Sequence, residues 1–403
     1  MTDLAVPSLR SRQIQVPVFL VSLGHGATHW IAATFYLLLP FITRDFGLSY
    51  AEAGFIVTCF YIGSVAANFP SGAVVDLTGR RILFQIVALI GGSIGLVGVG
   101  LAPQYWLIAA SVTVIGATNM LWHPPAIAFL SGHLPKNKGY ALSVHALGAN
   151  LGDAMAPLVA GWLLLSVSWR ATAGLNAISG IVCAVLLLAV LGRSDLGQRR
   201  HVAVMDPSAY LAGFVRAFKA RAVWTLCLMA GFRTMTQGGL LVFLPLYIAN
   251  DLKLNPFWIG VTLMMLQVGG MIATPLAGTL SDRIGRRPIV LAGMMGTTVL
   301  VVALAFIGSG VFFTISVSVL GFCMYAMRPV IHSWLMDRSP PELAATMTSA
   351  MFGTQSVLSA LMPVVGGMIA DAYGLVVVFY FLAATVLIAN ALAFFVPKSE
   401  TVD

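Results

Sequence analysis

The sequence predicts an all-α membrane protein with twelve transmembrane helices, arranged as two parallel repeats of six helices. Of its 403 residues, 59% are hydrophobic and only 9% are charged, whereas a soluble globular protein has about 25% charged residues. The hydrophobic residues fall in runs of roughly 20, the length of helix that crosses about 30 Å of hydrocarbon. This composition excludes an ordinary soluble enzyme, a disordered chain and a collagen-like fibre.

The hydrophobic runs divide the chain into spans with mostly short connections. We predict spans at about 18–43, 51–75, 82–101, 105–131, 139–166, 170–192, 222–249, 257–281, 288–308, 311–336, 343–370 and 374–396. The polar residues before the first span lack the pattern of a removable signal peptide. The longest connection, 193–221, is predicted to be a cytoplasmic linker between an N-terminal bundle, 1–192, and a C-terminal bundle, 222–403.

The positions of lysine and arginine predict that both termini are cytoplasmic. With that orientation, 17 of the 22 basic residues fall in cytoplasmic segments, and Arg44, Arg170 and Lys253 fall on the opposite side. Basic residues concentrate on the cytoplasmic side of membrane proteins. Since most of the net charge of +8 only orients the chain, we expect a lipid bilayer and a small molecule as partners, no nucleic acid, and a monomer.

A shift of about 205 residues aligns the two halves of the chain. The first half contains a segment with Gly72, Asp76, Gly79, Arg80 and Arg81, which returns in the second half as Gly278, Asp282, Gly285, Arg286 and Arg287. His123-Pro124 likewise aligns with Arg328-Pro329. Similarity at one fixed offset indicates an internal repeat. Both halves begin on the same side, which makes them parallel repeats, an arrangement found in secondary transporters.

These G-x-x-x-D-x-x-G-R-R segments resemble a signature of the major facilitator superfamily, although Leu77 replaces an arginine that the family usually carries. A finer resemblance is to the fosmidomycin-resistance group of exporters. It rests on Ser22-Leu-Gly-His25, Pro40, His123-Pro124 and Gly148-Ala-Asn150-Leu-Gly152. The resemblance implies a bacterial inner-membrane protein whose central cavity is lined by spans one, four, seven and ten.

The two repeated segments are predicted to act as cytoplasmic latches that hold the halves together in one state, as the superfamily resemblance implies. We expect Gly72 and Gly278 to let a neighbouring helix approach closely. Asp76 and Asp282 can face a helix N-terminus, and the arginines can bridge to carboxylates or lipid phosphates. The alternative is a plain basic loop on the cytoplasmic side.

Span five contains Gly152, Pro157 and Gly161 in a pattern that resembles the antiporter motif of drug exporters. Small residues at this spacing allow tight helix packing, and proline adds a bend. The alternative is ordinary packing of membrane helices. The arginine that the family usually carries in span four is replaced here by Trp122 and His123, so a proton mechanism based on that arginine does not carry over.

Ionisable side chains within spans are costly and mark functional sites. The chain has eight: His25, His29, His123, His145, Asp153, Arg233, Arg328 and His332. His25 and His29 share one helix face, and only Asp153 is acidic, so a cavity lined by these residues should attract an anion. The mid-span amides Asn150, Gln237 and Gln355 are further candidates for the cavity.

Three roles for these residues remain open beside simple packing. Arg233 and Arg328 can clamp an anionic substrate, such as a phosphonate or carboxylate, with His25, His29 and His123 as hydrogen-bonding partners. His25, His29, His145 and Asp153 can relay protons, because imidazole titrates near pH 6.5. Finally, His25, His29 and His123 have spacing compatible with a metal or a metal chelate. Since no cysteine or paired carboxylate completes that set, no metal and no cofactor except coupling protons is expected.

The predicted function is proton-coupled efflux of small anionic or amphiphilic compounds, such as antibiotics or metabolites, by an antiporter. Import of a carboxylate or another small nutrient is the alternative, with metal-chelate export and a non-transporting receptor behind it. The sequence has neither a phosphate-binding loop nor a nucleophile–base constellation, so enzyme activity is not expected.

Overall fold

A computed structural model of the chain describes residues 12–192, 212, 215, 221–338 and 344–397, and these residues form helices without any β-strand. The predicted linker 193–221 lies almost entirely outside the described residues, as do both chain ends. The predicted all-α fold class is confirmed.

Thirteen helices account for most of the described chain. They are α1 (Arg12–Phe46), α2 (Tyr50–Thr78), α3 (Arg81–Leu101), α4 (Tyr105–Leu121), α5 (His123–His133), α6 (Lys138–Leu163), α7 (Trp169–Leu191), α8 (Arg221–Asn250), α9 (Pro256–Ile284), α10 (Arg286–Leu304), α11 (Val311–Met336), α12 (Ala344–Tyr373) and α13 (Leu375–Phe395).

Eleven helical segments of the described chain are long and apolar enough to cross a membrane, with α4 and α5 forming one of them together. Helix α6, the predicted fifth span, is not among the eleven. Its 26 residues are nevertheless long enough at 1.5 Å per residue to cross about 30 Å of hydrocarbon. His145, Asn150 and Asp153 lower its hydropathy, and all three are candidate functional residues.

The fourth predicted span is not one continuous helix. It divides at Trp122 into α4 and α5, and prolines occupy the first turn of α5. Proline is favoured there because it needs no N–H partner and its φ angle is already helical. The equivalent Pro329 lies inside the continuous helix α11.

The described residues pack as two compact units, one made of 12–38 with 59–192 and the other of 39–58 with 221–338 and 344–397. Each unit has a buried apolar core. The core of the first includes Val21, Ile82, Leu89, Trp122 and Leu187. The core of the second includes Leu226, Met229, Met294, Ile331 and Trp334. The boundaries predicted for the two six-helix bundles stay a prediction.

Glycine contacts recur in both units at the offset of the sequence repeat. An alanine Cβ at Gly63 or Gly116 would lie 2.1 or 1.9 Å from a backbone oxygen of the facing helix, in the α2–α4 pair. At Gly269 and Gly321, in the α9–α11 pair, the corresponding distances are 2.0 and 1.9 Å. The two pairs are therefore packed backbone against backbone in the same way.

Candidate functional site

Four histidines and one aspartate meet inside the first unit, and we call them the histidine cluster: His25, His29, His123, His145 and Asp153. His25 lies at the centre. Its ring centroid is 3.7 Å from that of His145, 4.8 Å from that of His29 and 5.1 Å from that of His123. Helices α1, α5 and α6 each contribute to the cluster, so the predicted proton-relay residues are neighbours in space.

Close contact between α1 and α6 brings the cluster together. An added Cβ at Gly148 would lie 2.0 Å from the backbone oxygen of Ser22, and one at Gly152 would lie 2.1 Å from that of Gly26. Any larger side chain would push the helices apart. Gly152 of the antiporter-like motif therefore lets α6 approach α1, while Pro157 and Gly161 are buried further along the same helix.

Hydrogen bonds fix the rings of His25 and His145. The Nδ1 of His25 lies 2.8 Å from the backbone oxygen of His145. Because a carbonyl can only accept, this nitrogen carries the proton, and Nε2 of a neutral His25 ring has a free lone pair. The indole N–H of Trp122 donates to Nε2 of His145 over 3.1 Å, so the proton of a neutral His145 ring is on Nδ1.

His29 and Asp153 form the polar edge of the cluster. The Nδ1 of His29 lies 3.0 Å from a carboxylate oxygen of Asp153, and the two side chains are 24% and 26% exposed. Both groups are thus partly open while the neighbouring His25 is 7% exposed. A proton added to His29 or Asp153 would change the charge of this pair beside the buried ring of His25.

The two arginines predicted as an anion clamp differ in their surroundings within the second unit. Arg233 on α8 is buried, and its Nε and Nη2 donate to the backbone oxygen of Met324 over 3.3 and 2.9 Å. Arg328 on α11 is exposed, and it makes no hydrogen bond to another part of the described chain. Arg328 is therefore the arginine whose donors are available to a ligand.

The contact of Arg233 has a counterpart at the repeat-related positions of the first unit. There the side-chain amide of Asn119 donates to the backbone oxygen of Thr28 over 3.4 Å. Thr28 corresponds to Arg233 and Asn119 to Met324 at an offset of 205. Each unit joins the same two positions, although the donor comes from the other helix of the pair.

The remaining cavity candidates differ in exposure. Asn150 is exposed on α6, whereas Gln237 on α8 and Gln355 on α12 are half-buried. His332 lies beside Phe352, with ring centroids 6.1 Å apart. That these residues share one cavity with the histidine cluster stays a prediction.

The second predicted latch centres on Arg286, the first residue of α10. Its guanidinium donates to Asp282, to Ser281 Oγ over 2.7 Å and to Asp337 over 3.0 Å. Gly285 connects α9 to α10 with φ +94°, a conformation that favours glycine. Sequence reasoning missed Asp337, which lies outside the repeated segment and follows α11 directly.

Other residues of the two predicted latches donate to the backbone. Arg287 donates to the carbonyl of Phe394 over 2.8 Å, and Arg81 donates to that of Ala128 over 3.1 Å. Gly79 directly follows the last residue of α2 and has φ +66°. The next residue, Arg80, is exposed. The side chain of Asp76 lies outside the described part of the protein.

The described residues show no close helix approach at Gly72 or Gly278, where it was predicted. A Cβ added at either position would meet no described atom within 4 Å. Both glycines lie near the C-terminal ends of long helices, where no described neighbour crosses them. Close backbone approach occurs instead at glycines in the middle of the helices, such as Gly116 and Gly321.

Asp371 is a further polar contact that sequence reasoning missed. Its two carboxylate oxygens accept from the backbone N–H groups of Tyr50 and Ala51 over 2.8 and 2.9 Å. An anion at a helix N-terminus is favourable because it meets free N–H groups and the positive end of the helix dipole. No local sequence pattern predicts this contact, because Asp371 is 321 residues from Tyr50 and 320 from Ala51.

Comparison with known proteins gives one consistent family. The sequence model of the Major Facilitator Superfamily matches residues 19–361 and 226–403. The multidrug resistance protein MdtG of Rahnella sp. (strain Y9602) is 25% identical over 380 residues, which cover 89% of this chain and 88% of that protein. A putative metabolite transport protein of Haemophilus influenzae is 25% identical over 362 residues, with 87% and 88% covered.

Solved structures agree on the fold. A bacterial homologue of the human lysosomal transporter Spinster, in an inward-facing and unoccupied conformation, aligns with a TM-score of 0.81 at 16% identity and covers 96% of this chain and 97% of its own. The nucleoside transporter NupG aligns with a TM-score of 0.77 at 12% identity, covering 96% and 100%.

Proposed function

The chain belongs to the major facilitator superfamily, and from this premise we propose that it exports small anionic or amphiphilic compounds in exchange for protons. It would do so by alternating access, as a monomer in the inner membrane of a bacterium. The observation that carries the proton coupling is the partly exposed pair of His29 and Asp153 beside the buried His25.

The histidine cluster supports proton exchange because its groups are joined and differ in exposure. A proton that reaches Asp153 removes the negative charge that His29 faces at 3.0 Å. The hydrogen bonds of His25 and His145 hold the neighbouring rings in place. Uptake of a proton at this pair would therefore alter the contact between α1 and α6, the two helices that carry it.

Arg328 supports an anionic substrate. Its guanidinium is exposed on α11 and carries donors that suit carboxylates and phosphonates. Arg233 provides a second guanidinium in the same unit, where it donates to the backbone oxygen of Met324. The direction of transport is supported by the small-residue pattern of α6 and by relatives described as multidrug resistance proteins.

The proposal is tested by transport into everted membrane vesicles from a strain that overproduces the protein. An exported compound should accumulate inside these vesicles when their interior is acidic, and a panel of antibiotics and short alkyl phosphonates provides the substrates. Asp153→Asn should abolish accumulation driven by the pH gradient, because the amide cannot take up the exchanged proton.

Asp45→Asn is the matched control, since Asp45 is an exposed aspartate at the end of α1. This variant should transport like the unmodified protein. Normal gradient-driven accumulation by Asp153→Asn would remove Asp153 from the proton pathway. Accumulation only in right-side-out vesicles would contradict export and favour import of a nutrient.

A further inference from the structure

Three histidines of the cluster, His25, His29 and His123, are placed to hold a metal ion. One ring nitrogen of each lies within 4.8 Å of the others. We propose that they form a site for a divalent transition metal ion, with Zn²⁺ as the best match. The site lies within the first unit and does not depend on the direction or the substrate of transport.

His25 is oriented as a ligand. Its Nδ1–H is used by the carbonyl of His145 at 2.8 Å, so the lone pair of a neutral ring is on Nε2. That atom is buried and has no hydrogen-bond partner in the described part of the chain. A buried acceptor without a partner is costly, and a metal ion would satisfy it.

His29 has the outer partner that metal-binding histidines usually have. Its Nδ1 faces the carboxylate of Asp153 at 3.0 Å, which leaves Nε2 free to bind. A metal ligand that donates its other ring N–H to a carboxylate or a backbone carbonyl is held in the correct tautomer and becomes more basic. Here His29 has the carboxylate and His25 has the carbonyl.

The donor set selects the class of metal. Imidazole nitrogens suit zinc and its neighbours in the first transition row, whereas magnesium and calcium need oxygen ligands. Zinc–nitrogen bonds of about 2.0–2.1 Å place tetrahedral ligand atoms about 3.4 Å apart. The widest nitrogen–nitrogen separation, 4.8 Å, must therefore shorten by roughly 1.4 Å when the ion binds.

That adjustment is within reach of the cluster. His29 is 24% exposed in its side chain and lies on the open edge, so its ring can turn toward the other two. Three protein ligands also leave a fourth position open to water or to a donor atom of a bound molecule. Arrangements of three histidines and one open position are established zinc sites in other proteins.

The test uses the full-length protein, purified in detergent without a histidine tag and stripped with a chelator. Zn²⁺ is titrated by calorimetry, and Co²⁺ by its visible absorption, which reports nitrogen coordination. We expect one ion per chain. His25→Ala, His29→Ala and His123→Ala should each lower the affinity by more than the roughly 10–100-fold that loss of an outer partner costs.

His332→Ala is the matched control, because His332 is a half-buried histidine of a span in the second unit. It should bind Zn²⁺ like the unmodified protein. Asp153→Asn should weaken binding by about 10–100-fold while all three ligands remain. Size-exclusion chromatography and thermal unfolding without metal identify any variant that fails to fold.

The proposal is overturned if the unmodified protein binds no Zn²⁺, or if folded His29→Ala, His123→Ala and Asp153→Asn variants bind it with unchanged affinity. These measurements involve no transport. Failure of proton-driven export in vesicles would leave the metal site intact, and absence of metal binding would leave the export proposal intact.

Discussion

At the scale of single residues, the two arginines of the second unit differ in burial and in hydrogen bonding. Arg233 is 4% exposed and joins α8 to the carbonyl of Met324 on α11. Pro329 provides no N–H for the preceding turn of α11, and a proline within a helix disturbs the backbone bonds around it. Pro329 has no N–H to donate to the carbonyl of Tyr325, and Arg233 donates to the adjacent carbonyl in the same turn of α11. Arg328, by contrast, is exposed.

We predict different consequences for the same substitution at these two positions. Arg233→Gln should lower the free energy of unfolding by about 1–3 kcal/mol, since a buried hydrogen-bonded group is lost. Arg328→Gln should change it by less than about 0.5 kcal/mol, but should weaken binding of an alkyl phosphonate roughly 10-fold or more.

Thermal unfolding in detergent and calorimetric binding of the phosphonate measure these effects, with Arg221→Gln as the control at the exposed start of α8. Unchanged phosphonate affinity in Arg328→Gln would contradict a role for this residue in binding anions.

The same residues show what could be predicted from the sequence. The costly burial of ionisable groups identified all members of the histidine cluster, and the spacing of four placed His25 and His29 on one face. Sequence reasoning did not identify the partners of Arg233 and His25, because backbone carbonyls of Met324 and His145 carry no sequence signal. Asp153 meets His29 across 124 residues, so that pairing depends on tertiary packing.

At the scale of helices, the contact between α1 and α6 decides whether the histidine cluster forms. We predict that Gly148→Ala destabilises the protein by about 1–3 kcal/mol, the usual cost of an overpacked interior, because its Cβ would lie 2.0 Å from a backbone oxygen. It should also weaken Zn²⁺ binding, since α1 and α6 both position the ligands.

Gly174→Ala is the matched control. Gly174 lies in α7, and a Cβ there meets no described atom within 4 Å, so alanine should be neutral or stabilise the helix by up to about 1 kcal/mol. Thermal unfolding compares the two variants. Equal stability of both would show that the α1–α6 contact is looser than these distances indicate.

Helix boundaries were predicted less well than helix identity. Each predicted span falls on helical residues of the described chain, but the fourth was predicted as one helix, 105–131, although it divides at Trp122. Pro124 and Pro125 were the available signal. Proline alone does not decide the outcome, since the equivalent Pro329 lies inside the continuous helix α11.

At the scale of the whole molecule, the basic residues predict the orientation in the membrane. We expect alkaline phosphatase to be active when it is fused after Ile307, between α10 and α11, and inactive when it is fused after Pro397. Green fluorescent protein should give the opposite pattern, because it fluoresces only when folded in the cytoplasm. Phosphatase activity at Pro397 would place the C-terminus outside and contradict the distribution of lysine and arginine.

The glycine contacts shared by α2–α4 and α9–α11 have an evolutionary consequence. A single ancestral half, copied once, accounts for contacts that recur at an offset of 205–206 residues, so the backbone packing is older than the duplication. The polar positions diverged afterwards, since His123 aligns with Arg328 and Thr28 aligns with Arg233 at the repeat offset. The first half now carries the histidine cluster and the second half carries two arginines within its helices, while the glycine contacts are the same in both.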